Sequence, residues 1–84
     1  MTVRWTQEAR TELAEIWLRA DSAQRRAITA VTHAIDQRLA IDPENEGESR
    51  SAGRRVLFER PLGIMFRVQR SRAVVRVTRV WKIR

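Results

Sequence analysis

The sequence predicts an α+β fold in which an N-terminal strand and an antiparallel helix hairpin precede a three-stranded antiparallel meander. Apolar residues between positions 9 and 39 recur every three or four residues, which is the period of a helix. After position 55 they recur every two residues, which is the period of a strand. A chain of 84 residues holds one domain. We therefore expect a single domain, residues 1–84, of order β-α-α-β-β-β, with both helices on one face of the sheet.

The first half contains the predicted N-terminal strand and the helix hairpin. Thr2–Trp5 alternates polar and apolar residues, and Thr6 is placed to cap the first helix. Asp21 and Gln24 have the spacing of a capping box, which predicts that a second helix begins there and runs to Asp42-Pro43. The apolar faces of the two helices are Ala9, Leu13, Ile16, Trp17 and Ala20, and Ala27, Ile28, Val31, Ile35 and Leu39.

The second half follows a polar stretch at residues 42–53 and contains the meander. Its inward-facing positions are predicted as Val56, Phe58, Ile64, Phe66 and Val68, with turns at 61–63 and at Arg70–Arg72. The alternation is irregular in the last strand, residues 73–81. Either a bulge shifts its phase or both of its faces are partly covered.

Positive charge is concentrated in the last 35 residues. Residues 1–49 hold six Arg and nine acidic residues, for a net charge of −3, whereas residues 50–84 hold ten Arg, Lys82 and a single acid, Glu59, for a net charge of +10. A genome rich in Arg codons would explain the preference for Arg over Lys but not this clustering. Because the planar guanidinium grips phosphate or carboxylate at two points, we expect a polyanion or an acidic partner.

Several classes of protein are excluded by what the sequence lacks. It has no Cys and one His, so neither a disulfide nor a Cys- or His-rich metal site is expected, and no phosphate-binding or nucleophile motif is present. We expect no cofactor and no metal. No apolar run is long enough for a signal peptide or a membrane span, and the default compartment is the cytoplasm.

The basic segment, residues 50–84, supplies the candidate binding residues. If helices cover one face of the sheet, the other face is open to solvent. Arg55, Arg67, Arg76 and Arg79 recur along the strands, and we expect them to line this open face and make it basic. The candidates for binding this polyanion or acidic partner are Arg54, Arg55, Arg60, Arg67, Arg76, Arg79, Trp81 and Lys82. Such cations bind phosphate, but they also suit an acidic protein segment.

No catalytic residue is assigned, and the candidates are Arg67, Arg79, Lys82 and Glu59. The arginines would stabilise a developing phosphorane, and Glu59 would serve as a general base. The interpretation favoured for Glu59, however, is a cross-strand ion pair with an arginine such as Arg67. His33 is expected to face solvent, and Trp81 either covers the core or stacks on a base, on a face that otherwise lacks an exposed aromatic platform.

Several segments resemble the RelE/ParE superfamily of type II toxin–antitoxin toxins, of the plasmid-stabilisation type. They are AR and EIW at 9–10 and 15–17, IDQRL followed by DP at 35–39 and 42–43, and GESR at 47–50. The most extensive are RVLFERPLGIMFRV at 55–68 and VTRVW at 77–81. The resemblance spans nearly the whole chain and implies a growth-inhibiting toxin that a cognate antitoxin, expected to contribute an acidic amphipathic segment, holds inactive.

The resemblance leaves three functions open: those of the two toxin branches, which act on different targets, and that of a non-toxic binding module. The mRNA interferases cut mRNA on the ribosome with basic residues and a Tyr or His, whereas this chain has no Tyr, no His in its strands, and Gly63 where an interferase arginine falls. The ParE-like branch, which poisons DNA gyrase and needs no nuclease site, is favoured. The alternatives are a ribosome-dependent endoribonuclease and a basic nucleic-acid or protein-binding module of the same fold without toxicity.

Overall fold

The computed structural model describes all 84 residues and confirms the predicted order of elements. The elements are β1 Thr2–Trp5, α1 Gln7–Leu18, α2 Ser22–Ile41, β2 Glu48–Ser49, β3 Arg55–Glu59, β4 Leu62–Gln69 and β5 Val74–Lys82. They form one five-stranded sheet of order β1-β5-β4-β3-β2. β1 is parallel to β5, and the other neighbours are antiparallel. β2 was not predicted, because two residues are too few to show a period.

The helix starts follow from the predicted caps. Thr6 Oγ1 accepts a hydrogen bond from the Ala9 N–H at 3.1 Å, and Asp21 and Gln24 close a complete capping box at 2.8 and 2.9 Å. The Thr6 N–H also donates to the carbonyl of Val77 on β5 at 2.9 Å. The chain therefore leaves the sheet beside the free edge of β5, and α1 runs along that edge. Neither helix has the length and apolar character of a membrane span.

The helices cover one face of the sheet and enclose the core. Its buried residues are Ala9, Ile28, Ile35, Leu39, Leu57, Leu62, Ile64, Phe66, Val75, Val77 and Val80, with Val68 packed against them. The prediction that Phe58 belongs to this core is wrong: Leu57 pairs with Ile64 and takes the inward position, and Phe58 is 54% exposed on the opposite face. Val56 is buried, but its strand position also points it to that opposite face. Ala27 of α2 is exposed.

A bulge in β5 resolves its irregular pattern. Met65 of β4 pairs with Arg79, and the next residue, Phe66, pairs with Val77, so Thr78 is the extra residue. Its hydroxyl donates to the carbonyl of Met65 at 3.2 Å. Because the bulge shifts the phase by one residue, Val77 and Val80 both face the core. It also brings Arg76 and Arg79 to the same side of the sheet, the side away from the helices.

Candidate interaction face of the sheet

The face of the sheet away from the helices, here called the open face, consists of three cross-strand rows. The first row is Arg4, Arg76 and Arg67, on β1, β5 and β4. The second is Arg79, Met65, Val56 and Glu48, and the third is Trp81, Gly63 and Phe58. We call the first row the arginine row and the third the aromatic corner. They lie at opposite ends of the same surface.

The arginine row holds three exposed cations in direct register. Neighbouring strands are about 4.8 Å apart, so the side chains leave the sheet side by side. None of the three forms an ion pair, and the one hydrogen bond from their guanidinium groups joins Arg67 Nη1 to the carbonyl of Ala52 at 2.7 Å. A carbonyl does not neutralise the charge. Like charges directly opposite each other destabilise a sheet, so this row is costly to the fold unless a ligand offsets it.

At its β1 end the arginine row continues into a cleft of about 710 Å³. Arg4 and Arg76 line this cleft together with Arg10 from α1. Its carboxylate, Asp36, accepts a 2.7 Å hydrogen bond from Nε1 of Trp5. The cleft is therefore predominantly cationic, with its acid already engaged by a neutral donor.

Arg79, in the second row, is neutralised within the chain. Its guanidinium lies 2.9 Å from Glu8 and 3.0 Å from Glu12, both on α1. Glu12 also accepts the backbone N–H of Val80 at 3.0 Å, where the edge of β5 has no strand partner. Burial opposes ionisation of Glu12, but the hydrogen bonds from Arg79 and Val80 outweigh it and lower the pKa of that carboxyl. The hydrogen bond to Glu12 also raises the pKa of Arg79.

In the aromatic corner, two rings meet above a glycine. Gly63 lies between Phe58 and Trp81 in the register, and the ring centroids of Phe58 and Trp81 are 6.1 Å apart in an edge-to-face arrangement. A Cβ at position 63 would be 2.7 Å from Cζ2 of Trp81 and closer still to two other ring atoms. The indole thus occupies the space that any side chain at 63 would need. The expectation that this face lacks an exposed aromatic was wrong, because Phe58 faces outward.

Three of the predicted site residues do not contribute to the open face. Arg55 faces the helix side and donates to the carbonyls of Glu46 and Gly47 at 2.9 and 3.3 Å. Lys82 pairs with Leu62 and is exposed on the helix side. Glu59 forms an ion pair with Arg38 of α2, so the predicted cross-strand pair with Arg67 is wrong.

The remaining candidates lie at the periphery. Arg54 donates to the carbonyl and the hydroxyl of Ser51 at 3.1 and 3.0 Å, and Arg60 is exposed at the β3–β4 turn. His33 is exposed on α2, as predicted. No group of His, Cys, Asp and Glu is arranged to hold a metal ion. Of the predicted cations, the open face therefore brings together Arg67, Arg76 and Arg79.

Sequence reasoning missed the residues whose roles depend on distant partners. Arg38 bridges Glu46 and Glu59, and the hydrogen bond to Glu46 raises the pKa of this arginine. Arg4 joins the arginine row only because β1 pairs with β5. Its outward position between Val3 and Trp5 was visible in the sequence, but the identity of the neighbouring strand was not.

Comparisons with known proteins agree with this architecture. A chain of the chromosomal ParDE toxin–antitoxin system from P. aeruginosa superposes with a TM-score of 0.77 at 21% identity, covering 100% of this chain and 97% of that one. A chain of the RelBE2 toxin–antitoxin complex from Mycobacterium tuberculosis superposes with a TM-score of 0.74 at 23% identity, covering 96% of this chain and 88% of that one. A chain of the intact E. coli RelBE toxin–antitoxin complex superposes with a TM-score of 0.62 at 15% identity, covering 99% of this chain and 96% of that one. These likenesses show the fold.

No curated protein sequence is significantly similar to this chain. The family model for the ParE toxin of type II toxin–antitoxin systems, parDE, matches residues 3–84. That match includes both helices, every residue of the open face and all of the five strands except Thr2, the first residue of β1. The chain therefore belongs to the ParE toxin family of type II toxin–antitoxin systems.

Proposed function

We propose that this chain is the toxin of a toxin–antitoxin pair, inhibits growth through DNA gyrase in the manner of ParE, and is neutralised by a cognate antitoxin. The observation that carries the choice of target is the aromatic corner. The sequence resemblance places an interferase arginine at position 63, and here Gly63 leaves no room for one beneath the Trp81 indole. Replacing the glycine with any larger residue would require the ring to move.

The other groups needed for RNA cleavage are also poorly placed. A general base must come within about 3 Å of the hydroxyl it deprotonates. Glu59 is held by Arg38 on the helix side, and His33 lies on α2, away from the open face. Arg79 is paired with Glu8 and Glu12. The carboxylate in the rows of the open face, Glu48, forms an ion pair with Arg50 at 3.1 Å. The open face therefore presents cations and aromatic rings, which suit binding, and no unpaired base for strand cleavage.

Two observations support an antitoxin as partner: the positive charge of residues 50–84 and the membership of the ParE toxin family. The +10 charge of residues 50–84 favours an acidic amphipathic segment, and the solved structures of similar fold include toxin–antitoxin complexes. The aromatic corner offers such a segment an apolar anchor, because an exposed Phe beside a Trp is the kind of site where binding energy concentrates. Co-expression with the product of an adjacent gene should yield a stable complex whose affinity falls with added salt.

The decisive experiment measures the target directly. Induction of the chain without antitoxin should arrest growth, and purified gyrase incubated with the chain and plasmid should accumulate cleaved DNA complexes. The purified chain should leave naked RNA intact, and His33→Ala should be as toxic as wild type. Sharp A-site cleavage of mRNA after induction would replace gyrase with the ribosome as target. A harmless chain that binds no adjacent gene product would indicate a non-toxic binding module.

A further inference from the structure

The arginine row has a different chemistry from the rest of the open face. Arg4, Arg76 and Arg67 stand abreast without an ion pair, whereas Arg79 on the same face is neutralised by two glutamates. No apolar side chain interrupts the three. The apolar anchor on this face, formed by Phe58 and Trp81, is at the other end.

This separation indicates what the row binds. A protein segment docks through an apolar core surrounded by polar contacts, and the aromatic corner offers such a core while the arginine row does not. A phosphate backbone needs no apolar anchor, because its affinity comes from cations that displace condensed counterions. Three arginines side by side on neighbouring strands, with Arg10 in the adjoining cleft, suit a linear chain of phosphates.

We propose that the arginine row binds the phosphate backbone of DNA, so that the toxin contacts the nucleic acid held by gyrase as well as the enzyme. This inference rests on the proposed function for its biological setting. The DNA contact itself involves only residues of this chain, and it can be measured without gyrase.

The first test is binding of the purified chain to a fluorescent 25-base-pair duplex of arbitrary sequence, followed by anisotropy across a series of salt concentrations. The logarithm of the binding constant should fall linearly with the logarithm of salt, and each of Arg4→Ala, Arg67→Ala and Arg76→Ala should reduce the slope by about 0.9. The matched control is Arg26→Ala. Arg26 is an exposed arginine of α2 without an ion pair, and its loss changes the net charge by the same amount. This control should keep the wild-type slope.

Three outcomes would overturn the proposal. If Arg26→Ala reduces the salt slope of DNA binding as much as Arg76→Ala does, binding depends on the net charge of the chain and not on the arginine row. If none of the row variants changes the slope, DNA lies elsewhere. If the chain ignores DNA and the row variants instead weaken capture of a poly-glutamate peptide, the row binds an acidic protein. Circular dichroism should show that every variant is folded, as expected for exposed side chains.

A second measurement separates this inference from the proposed function. In the gyrase cleavage assay, the triple variant of the row should lose at least ten-fold in potency while Arg26→Ala retains wild-type potency. A chain that binds DNA through the row but never traps gyrase would refute the gyrase target and leave the DNA site standing. A triple variant that traps gyrase as well as wild type would refute the DNA contact and leave the target standing.

Discussion

Arg76 and Arg79 are three residues apart on β5, carry the same charge and face the same side of the sheet, yet they have opposite surroundings. Arg79 is clamped by Glu8 and Glu12 at the edge of α1, and Arg76 stands between Arg4 and Arg67. The bulge at Thr78 produces this contrast, because without it two positions three residues apart would face opposite sides. Sequence alone ranked the two arginines as equivalent. One of them belongs to the scaffold, and the other is available to a ligand.

The contrast depends on the core that fixes the bulge, so the largest effect is expected there. Phe66 is fully buried and pairs with Val77 directly beside the bulge. Phe66→Ala should lower the free energy of unfolding by about 3–5 kcal/mol, measured by urea denaturation. Phe58→Ala provides the matched control. It removes a ring of the same size from an exposed position and should cost under about 1 kcal/mol. Equal losses would place Phe58 in the core after all.

A smaller effect is expected from the clamp on Arg79. Glu12→Gln removes the charge that holds this arginine and weakens the acceptor for the Val80 N–H, at a cost of about 1 kcal/mol. Glu8→Gln is the control, because Glu8 is more exposed and forms only the ion pair. Its unfolding midpoint in urea should stay closer to wild type. The clamp would be refuted if both variants matched wild type.

The same clamp predicts a dependence of stability on pH. The pKa of Glu12 in the folded chain lies below its ordinary value of 4.5. The contribution of ionised Glu12 to the free energy of unfolding is therefore fully present above about pH 5, and it is lost as the pH falls below 4.5 through the folded-state pKa. The difference in melting temperature between wild type and Glu12→Gln should shrink over that range. A difference in melting temperature that did not shrink at all as the pH fell below 4.5 would mean that the glutamine variant is destabilised by something other than lost charge.

The smallest effect on stability is expected at the arginine row itself. Arg76→Ala should change the free energy of unfolding by less than about 0.5 kcal/mol, and relief of repulsion from Arg4 and Arg67 should move it toward greater stability. Arg79→Ala should melt lower than Arg76→Ala, because it leaves Glu12 without its partner. The comparison would be reversed if thermal denaturation placed Arg76→Ala below Arg79→Ala.

The elements of the fold were predictable because their signals are local. Helical periodicity, the Thr6 and Asp21 caps and the Asp42-Pro43 ending each depend on neighbours within a few residues. The inward face of β3 was predicted wrongly for a physical reason: Val56, Leu57 and Phe58 are all apolar, so the alternation fits either phase. The pairing with β4 decides it in favour of Leu57.

The candidate site was only partly predictable, because charge alone does not reveal which cations are already paired. Glu12, Glu46 and Glu59 select their arginines through contacts between helices and strands. Arg4 enters the row only through the parallel pairing of β1 with β5. Residues 50–84 hold most of the cations, but charge alone did not separate Arg67 and Arg76, which form no ion pair, from Arg79, which does.

The pairing of β1 with β5 also sets when the arginine row can exist. Thr2 is opposite Val74, and Trp5 is opposite Val77, so the first strand to be synthesised cannot pair until the last strand has been made. Ribosomes add about 5–20 residues per second, and contacts between such distant segments form late in folding. A nascent chain therefore cannot form the row until residue 77 has emerged, and it cannot complete the sheet until Lys82 has emerged. An antitoxin present before that moment would meet the toxin before the proposed DNA-binding row is assembled.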